Sequence, residues 1–228
     1  MEGTFVIERQ GWASERVQRV TGWLQRAVPA ESRLETLVVW LDEHTAFTTQ
    51  GRTIYVSRRL LERLADDDAA AFVIAHELAH HRLGHVPALP RSWLGVARAL
   101  IIALERRWIA TTDHERDADL LAIEMCVDAG YDPERCIAAL EYLEQVSLDY
   151  GDVDGVLGPE TGVDRRTHPA VRTRIAAVRD HLAAVRRGIR LPLDTTIQRE
   201  RRRRRQVALA AAGSAAVAVA LLVIRRRP

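Results

Sequence analysis

The sequence contains no lysine: all 33 basic side chains among its 228 residues are arginine. That reads as a compositional bias and not as chemistry. Cysteine is nearly absent too. Cys126 and Cys136 cannot build a disulfide framework or a paired-cysteine metal motif, which is consistent with a reducing compartment. Aromatics make up only 5% of the chain, so aliphatic side chains and alanine, within a hydrophobic share of 47%, must do the packing. The first ten residues lack a basic stretch followed by an apolar one, so no signal peptide is expected. There is no internal repeat. The length suits one principal domain with small additions.

The net charge of +2 hides an asymmetry. Six Arg and one Glu between 199 and 205, with three Arg at 225–227, give the tail a net +8, so the remainder carries −6. The basic character therefore belongs to the tail, and the body of the chain is mildly acidic.

Apolar residues at Trp12, Val17, Val20, Trp23, Leu24 and Val28 predict an amphipathic helix over 11–28. Residues 37–41 and 53–57 read as short strands with a polar turn at Gln50-Gly51 between them. A short helix is expected over 57–65. A second runs from about Ala69 to Leu83, with Asp68 as its N-cap and Gly84 as its stop. Pro87 and Pro90 mark a loop. Residues 93–109 are apolar but interrupted by charge, and suit a core or surface-dipping helix. Further helices are expected over 113–128, 133–148 and 169–188, with a Gly- and Asp-rich mobile loop at 150–166.

Residues 206–224 carry no charge and are fenced by arginine on both sides. As a helix the run would be roughly 27–29 Å long, close to the hydrocarbon thickness of a bilayer. It is read as a single transmembrane span, with a buried Ala-rich helix as the alternative. The larger basic cluster precedes it, which places the body of the chain on the cytoplasmic side. Small residues at Ala208, Ala212, Ala216 and Ala220 share one face and are compatible with helix pairing, but Ala-rich composition gives the same pattern, so a homo-oligomer is unsupported. The expected organisation is a domain over 1–190, a basic linker over 191–205, the span over 206–224 and a short basic tail over 225–228.

The chemistry centres on His76-Glu77-Leu78-Ala79-His80. On a helix, i and i+4 share a face, so both imidazoles can reach one zinc ion while Glu77 sits beside the metal's water. The helix is otherwise apolar, and two histidines and a glutamate buried there are costly unless paired or metallated. A zinc site that does chemistry takes a third protein ligand and leaves a position open. Glu115 is the leading choice. Asp119, one turn on, can face the same helix and accept a proton from a ligating imidazole. An exposed acidic helix start is the plain alternative. His114 is a rival ligand, although its side chain is expected to project away from the Glu115/Asp119 face. His85 is read as a helix-end residue near the site and not a ligand.

Together, His76 to His85 (His-Glu-Leu-Ala-His-His-Arg-Leu-Gly-His) and Glu115-x-x-x-Asp119 resemble the HtpX-like zinc metallopeptidases, which include the type I CAAX prenyl proteases. Two further segments add to the resemblance: the strand at 53–57 with the helix after it, and Thr167-His168-Pro169 followed by Arg174-Ile175. It covers roughly residues 35–180. It departs from the family's pattern at Thr45, where the family usually has Asn, and in lacking the family's additional membrane helices.

The resemblance implies a mainly helical α+β fold: a zincin-type domain with a small sheet and the zinc helix, here with one C-terminal transmembrane helix. It implies a metalloendopeptidase carrying one zinc per chain on His76, His80 and Glu115. Glu77 would be the general base, and the strand at 53–57 an edge to which an extended peptide could pair. It also brings His168 near the site, to hydrogen-bond the oxyanion or occupy the open zinc position, or simply to set the turn before Pro169. Arg174 is read as a structural or charge-balancing residue behind the site. The partners expected are a protein or peptide substrate and membrane lipid along 206–224, and no nucleic acid. Three rival readings fit less well. A peptide deformylase would need a cysteine ligand upstream of the helix, where this chain has none. A non-catalytic zinc-binding adaptor at the membrane has no need of Glu77. A nucleic-acid binder would use the arginines at 199–205, which a neighbouring apolar span explains better as an anchor.

Overall fold

In the computed structural model of the chain the described residues are 6–28, 30–42, 44–48, 52–86, 112–149, 171–199 and 201–202. Strand β1 (Ile7–Glu8) leads into helix α1 (Trp12–Leu24), which tightens into a 3-10 turn over Gln25–Ala27. Strands β2 (Glu35–Val39), β3 (Ala46–Thr48) and β4 (Thr53–Ser57) follow, then α2 (Arg58–Arg63) and α3 (Asp67–Arg82). Helices α4 (Thr112–Asp128), α5 (Pro133–Asp149) and α6 (Val171–Val185) complete the set. The result is mainly helical α+β with one small sheet, as expected.

The sheet order is β1-β2-β4-β3. β2 and β4 run parallel in the centre, with Val38 opposite Val56, and the two outer strands are antiparallel to their neighbours. This corrects the expectation that residues 53–57 form an edge: β4 is internal, and its Ile54 and Val56 are wholly buried. The edge beside α3 is β3, a three-residue strand in a segment whose pattern is too short to show alternation.

Helix α1 buries Ala13, Val17, Val20 and Leu24 against the sheet and α3. Trp12 and Trp23, expected on that apolar face, are exposed. At 100° per residue they lie on a stripe more than a quarter-turn from Val17 and Leu24. The indole of Trp23 instead carries the Arg26 guanidinium 3.6 Å above its ring. Buried Gln25 ties the end of α1 to the start of the sheet, donating to Leu34 O at 2.7 Å and accepting from Leu34 N at 2.9 Å.

Helix α3 is the hub, packed against α1, α4, α5, β3 and β4. Its N-cap is Asp66, whose carboxylate accepts from Ala69 N at 2.9 Å; Asp68 lies inside the helix. Three consecutive aspartates can all cap by composition. The one with an extended backbone (Asp66, φ −148°) does so. Arg16 reaches across from α1 to the carbonyls of Leu61, Leu64 and Asp66 and to Asp67 Oδ1 at 3.0 Å, fixing the entry to α3. At the other end Gly84 adopts φ +74°, a left-handed conformation that closes a paired set of bonds: Gly84 N to His81 O at 3.0 Å and His85 N to His80 O at 2.8 Å. Cys126 and Cys136 are both buried and free.

The chain divides into two units, Met1–Leu191 and Pro192–Pro228. In the second, residues 193–199 are helical. Among the described residues no helix is long and apolar enough to cross a membrane. The expected span at 206–224, the apolar stretch at 93–109, the loop at 150–166 and His168 all lie outside the described residues.

Candidate metal centre

Each element of the centre arrives by a local rule. The i, i+4 spacing on α3 puts His76 and His80 on one face, with their ring centroids 4.6 Å apart. The same spacing on α4 turns Glu115 and Asp119 toward them. His76 Nε2 and His80 Nε2 lie 3.0 Å apart, and each is 3.5 Å from a Glu115 carboxylate oxygen. A tetrahedral zinc with bonds of about 2.0–2.1 Å separates its donors by roughly 3.3 Å. The two nitrogens, and the carboxylate that presents Oε2 to His76 and Oε1 to His80, are spaced closely enough for one ion, with one ligand atom from each residue within 4.8 Å of the others, and the set of two imidazoles and one carboxylate suits zinc. Among the described residues these three form the cluster able to hold a metal.

The surroundings hold the ligands. His76 Nδ1 faces Asp119 Oδ1 at 2.9 Å, a contact of charge whose angle is poor for a directed hydrogen bond. Asp119 is gripped by Arg174 of α6, which donates from Nε to Oδ2 at 2.7 Å and from Nη2 to Oδ1 at 2.9 Å. Arg174 also stands 3.5 Å from Glu115 Oε2, so one buried cation serves both carboxylates. The guanidinium–carboxylate fork is the geometry that lets an ion pair survive burial.

Charge is distributed unevenly over this cluster. Burial works against the His76 imidazolium, but Asp119 and Glu115 overcome it and raise its pKa to about 10. Burial, then the charge on His76, lowers His80 to about 3, so His80 is neutral. Burial also opposes ionisation of Glu115 and Asp119. Contact with His76 nevertheless holds Glu115 well below the usual carboxylate range, and Arg174 lowers Asp119. A proton on His76 thus stands among the candidate ligands and supplies positive charge there.

Glu77 behaves differently. Burial pushes its carboxyl up to about 7, with the charges of His76 and Arg174 and a hydrogen bond from the Thr48 backbone pulling the other way. An acid poised near neutrality beside a metal position can take and return a proton.

The structure brings together His76, Glu77, His80, Glu115, Asp119 and Arg174. It places His114, the rival ligand, outside the donor set: its buried ring stacks on His85 with centroids 4.1 Å apart and planes 19° apart. One contributor escaped the sequence reading: the Thr48 backbone, on the edge strand, touches Glu77. His85 lies near the site and outside the donor set, as expected, but its contact with His80, Nδ1 to Nδ1 at 3.0 Å, was not read. Gly84 was the available signal for it, since a helix-ending glycine turns the next residue back onto the last turn.

Residues 8–110, a little under half of the chain, match the profile of Peptidase family M48. No curated protein matches the chain significantly. The match includes His76, Glu77 and His80 and ends before Glu115, Asp119 and Arg174, which geometry alone adds. The match is a likeness over that stretch of the chain, zinc helix included.

Proposed function

We infer that the chain is a zinc metalloendopeptidase that hydrolyses peptide bonds in protein substrates, with one zinc per chain held by His76, His80 and Glu115. The observation that carries the reading is the convergence of two imidazole nitrogens 3.0 Å apart on the Glu115 carboxylate, one oxygen 3.5 Å from each, with Glu77 beside them. Zinc in such a site supplies Lewis acidity, lowering the pKa of water toward neutrality and stabilising a carbonyl oxygen as it gains charge.

The chain's own residues do the rest. Glu77 accepts a proton from the attacking water and delivers it to the departing amine. Asp119 holds His76 in position, and Arg174 keeps Asp119 ionised. The edge strand β3 offers backbone groups to an extended peptide next to Glu77, taking the role first given to β4. His168 enters from its Thr-His-Pro setting alone, as a donor to the oxyanion or a group that closes the open position at rest.

Within M48, the Glu115-x-x-x-Asp119 pair and the late His-Pro segment favour the HtpX-like group. Residues 206–224 are proposed as a single membrane anchor, with the peptidase domain on the cytoplasmic side. A zinc-binding adaptor without catalysis is disfavoured by Glu77: burying an acid at that position weakens the fold and is needed only for proton transfer.

Casein cleavage by the full chain tests the reading. Activity lost in Glu77→Gln and on chelation, with zinc still bound to the variant, is the expected result. Activity that persists in Glu77→Gln would contradict it.

A further inference from the structure

The two histidine ligands are supported in different ways. His76 leans on a carboxylate. Among the described residues the partner at the rear nitrogen of His80 is an imidazole: its Nδ1 lies 3.0 Å from Nδ1 of His85. His85 reaches that place because Gly84, at φ +74°, turns the chain back so that His85 N bonds to His80 O at 2.8 Å. The His85 side chain is then buried, and its ring lies flat on His114. The stacked pair fixes the plane of the His85 ring, and so the direction of its Nδ1.

We propose that His85 is a positioning residue for His80: its Nδ1 accepts the Nδ1 proton of His80 and so leaves His80 Nε2 bare toward the metal. The argument is one of proton placement. A ring nitrogen facing a cation must offer a lone pair, which puts the single proton of neutral His80 on Nδ1. Two neutral imidazoles share a nitrogen–nitrogen contact only when one donates and the other accepts. His85 Nδ1 is therefore bare and its own proton sits on Nε2. The support is neutral, in contrast to the anionic support of His76. This supports the second imidazole without adding a further buried negative charge to those of Glu115 and Asp119. His114 contributes by holding the plane of His85.

The inference rests on the zinc reading above, and the experiment separates the two. Zinc affinity of the full chain is measured by competition with a chromogenic chelator for the unaltered protein, His85→Phe and His85→Gln. His85→Phe keeps a flat ring against His114 but cannot accept, and should bind zinc about 10–100-fold more weakly. His85→Gln, whose Oε1 can accept, should recover most of that loss. In 15N spectra of the unaltered protein, His85 should show a bare Nδ1 and a protonated Nε2. If the unaltered chain binds no zinc, the zinc reading falls and this proposal with it. If folded His85→Phe binds zinc as tightly as the unaltered chain, or if His85→Gln is as weak as His85→Phe, this proposal alone is overturned. Should His85→Phe fail to fold, the tautomer decides: a proton on His85 Nδ1 contradicts the assignment.

Discussion

Arg174 grips Asp119 with both arms of its guanidinium, at 2.7 and 2.9 Å, and the same carboxylate faces His76 Nδ1 at 2.9 Å. A cation on α6 thus sets the charge of an acid on α4, which in turn faces the candidate ligand His76 on α3. Removing the cation leaves two buried carboxylates sharing one imidazolium. Arg174→Met is expected to destabilise the zinc-free protein by about 3 kcal/mol or more. Saturating zinc should offset part of that loss, because the metal restores positive charge at Glu115. Thermal unfolding with and without zinc checks this. Arg174→Lys should recover little, since a single ammonium cannot replace the fork.

Glu77 is expected to weaken the metal-free fold above neutral pH. Its pKa is raised by burial from 4.5 to about 7. The folded state therefore disfavours the carboxylate, and the penalty begins above 4.5 and is complete above about 7. Glu77→Gln should stabilise the zinc-free protein by on the order of 1–3 kcal/mol at pH 8, with little gain at pH 4. Urea midpoints at the two pH values give the answer, and the same variant should be inactive.

His76 has the opposite sign. It is raised from 6.5 to about 10 in the fold, so its charged form stabilises the zinc-free protein fully below 6.5 and progressively less as pH rises toward 10. Stability of the chelator-treated protein should fall across that window. At pH 8 zinc uptake should also release about one proton, since the metal must displace the one on His76. Calorimetry in two buffers of different ionisation enthalpy measures that number.

The edge strand can be tested through its backbone. Ser57 N bonds to Thr45 O at 2.9 Å, so Thr45 faces β4 and Ala46, next along the antiparallel strand, faces away. Proline at an outward position removes a donor without breaking the β3–β4 ladder. Ala46→Pro is therefore expected to raise KM for a peptide substrate roughly tenfold, with kcat changed less. An unchanged KM would mean that substrate does not pair with β3.

What the sequence made legible follows from periodicity. The i, i+4 pairs His76/His80 and Glu115/Asp119 point to one another because helix geometry leaves little choice. Helix α3 was found with its glycine stop. Its cap was misplaced by two residues because Asp66, Asp67 and Asp68 share one chemistry and differ only in backbone angle. Strand β3 was not legible: Ala-Phe-Thr is too short to alternate, and its pairing with β4 is a tertiary event. The assignment of the edge to β4 failed for the same reason. Trp12 and Trp23 were counted with the core by hydrophobicity alone, while their angle around α1 sets them apart from Val17 and Leu24. The role of His85 depends on a left-handed turn at Gly84 and on a ring from another helix, His114, which no local pattern contains.

The most direct measurement is the zinc content and affinity of the purified full chain beside Glu115→Gln. The account predicts one zinc per chain, and a variant that folds but binds zinc at least tenfold more weakly, because the third donor of a closely spaced set has lost its charge. A folded chain without zinc affinity, or a Glu115→Gln variant that holds zinc as tightly as the unaltered protein, would contradict it.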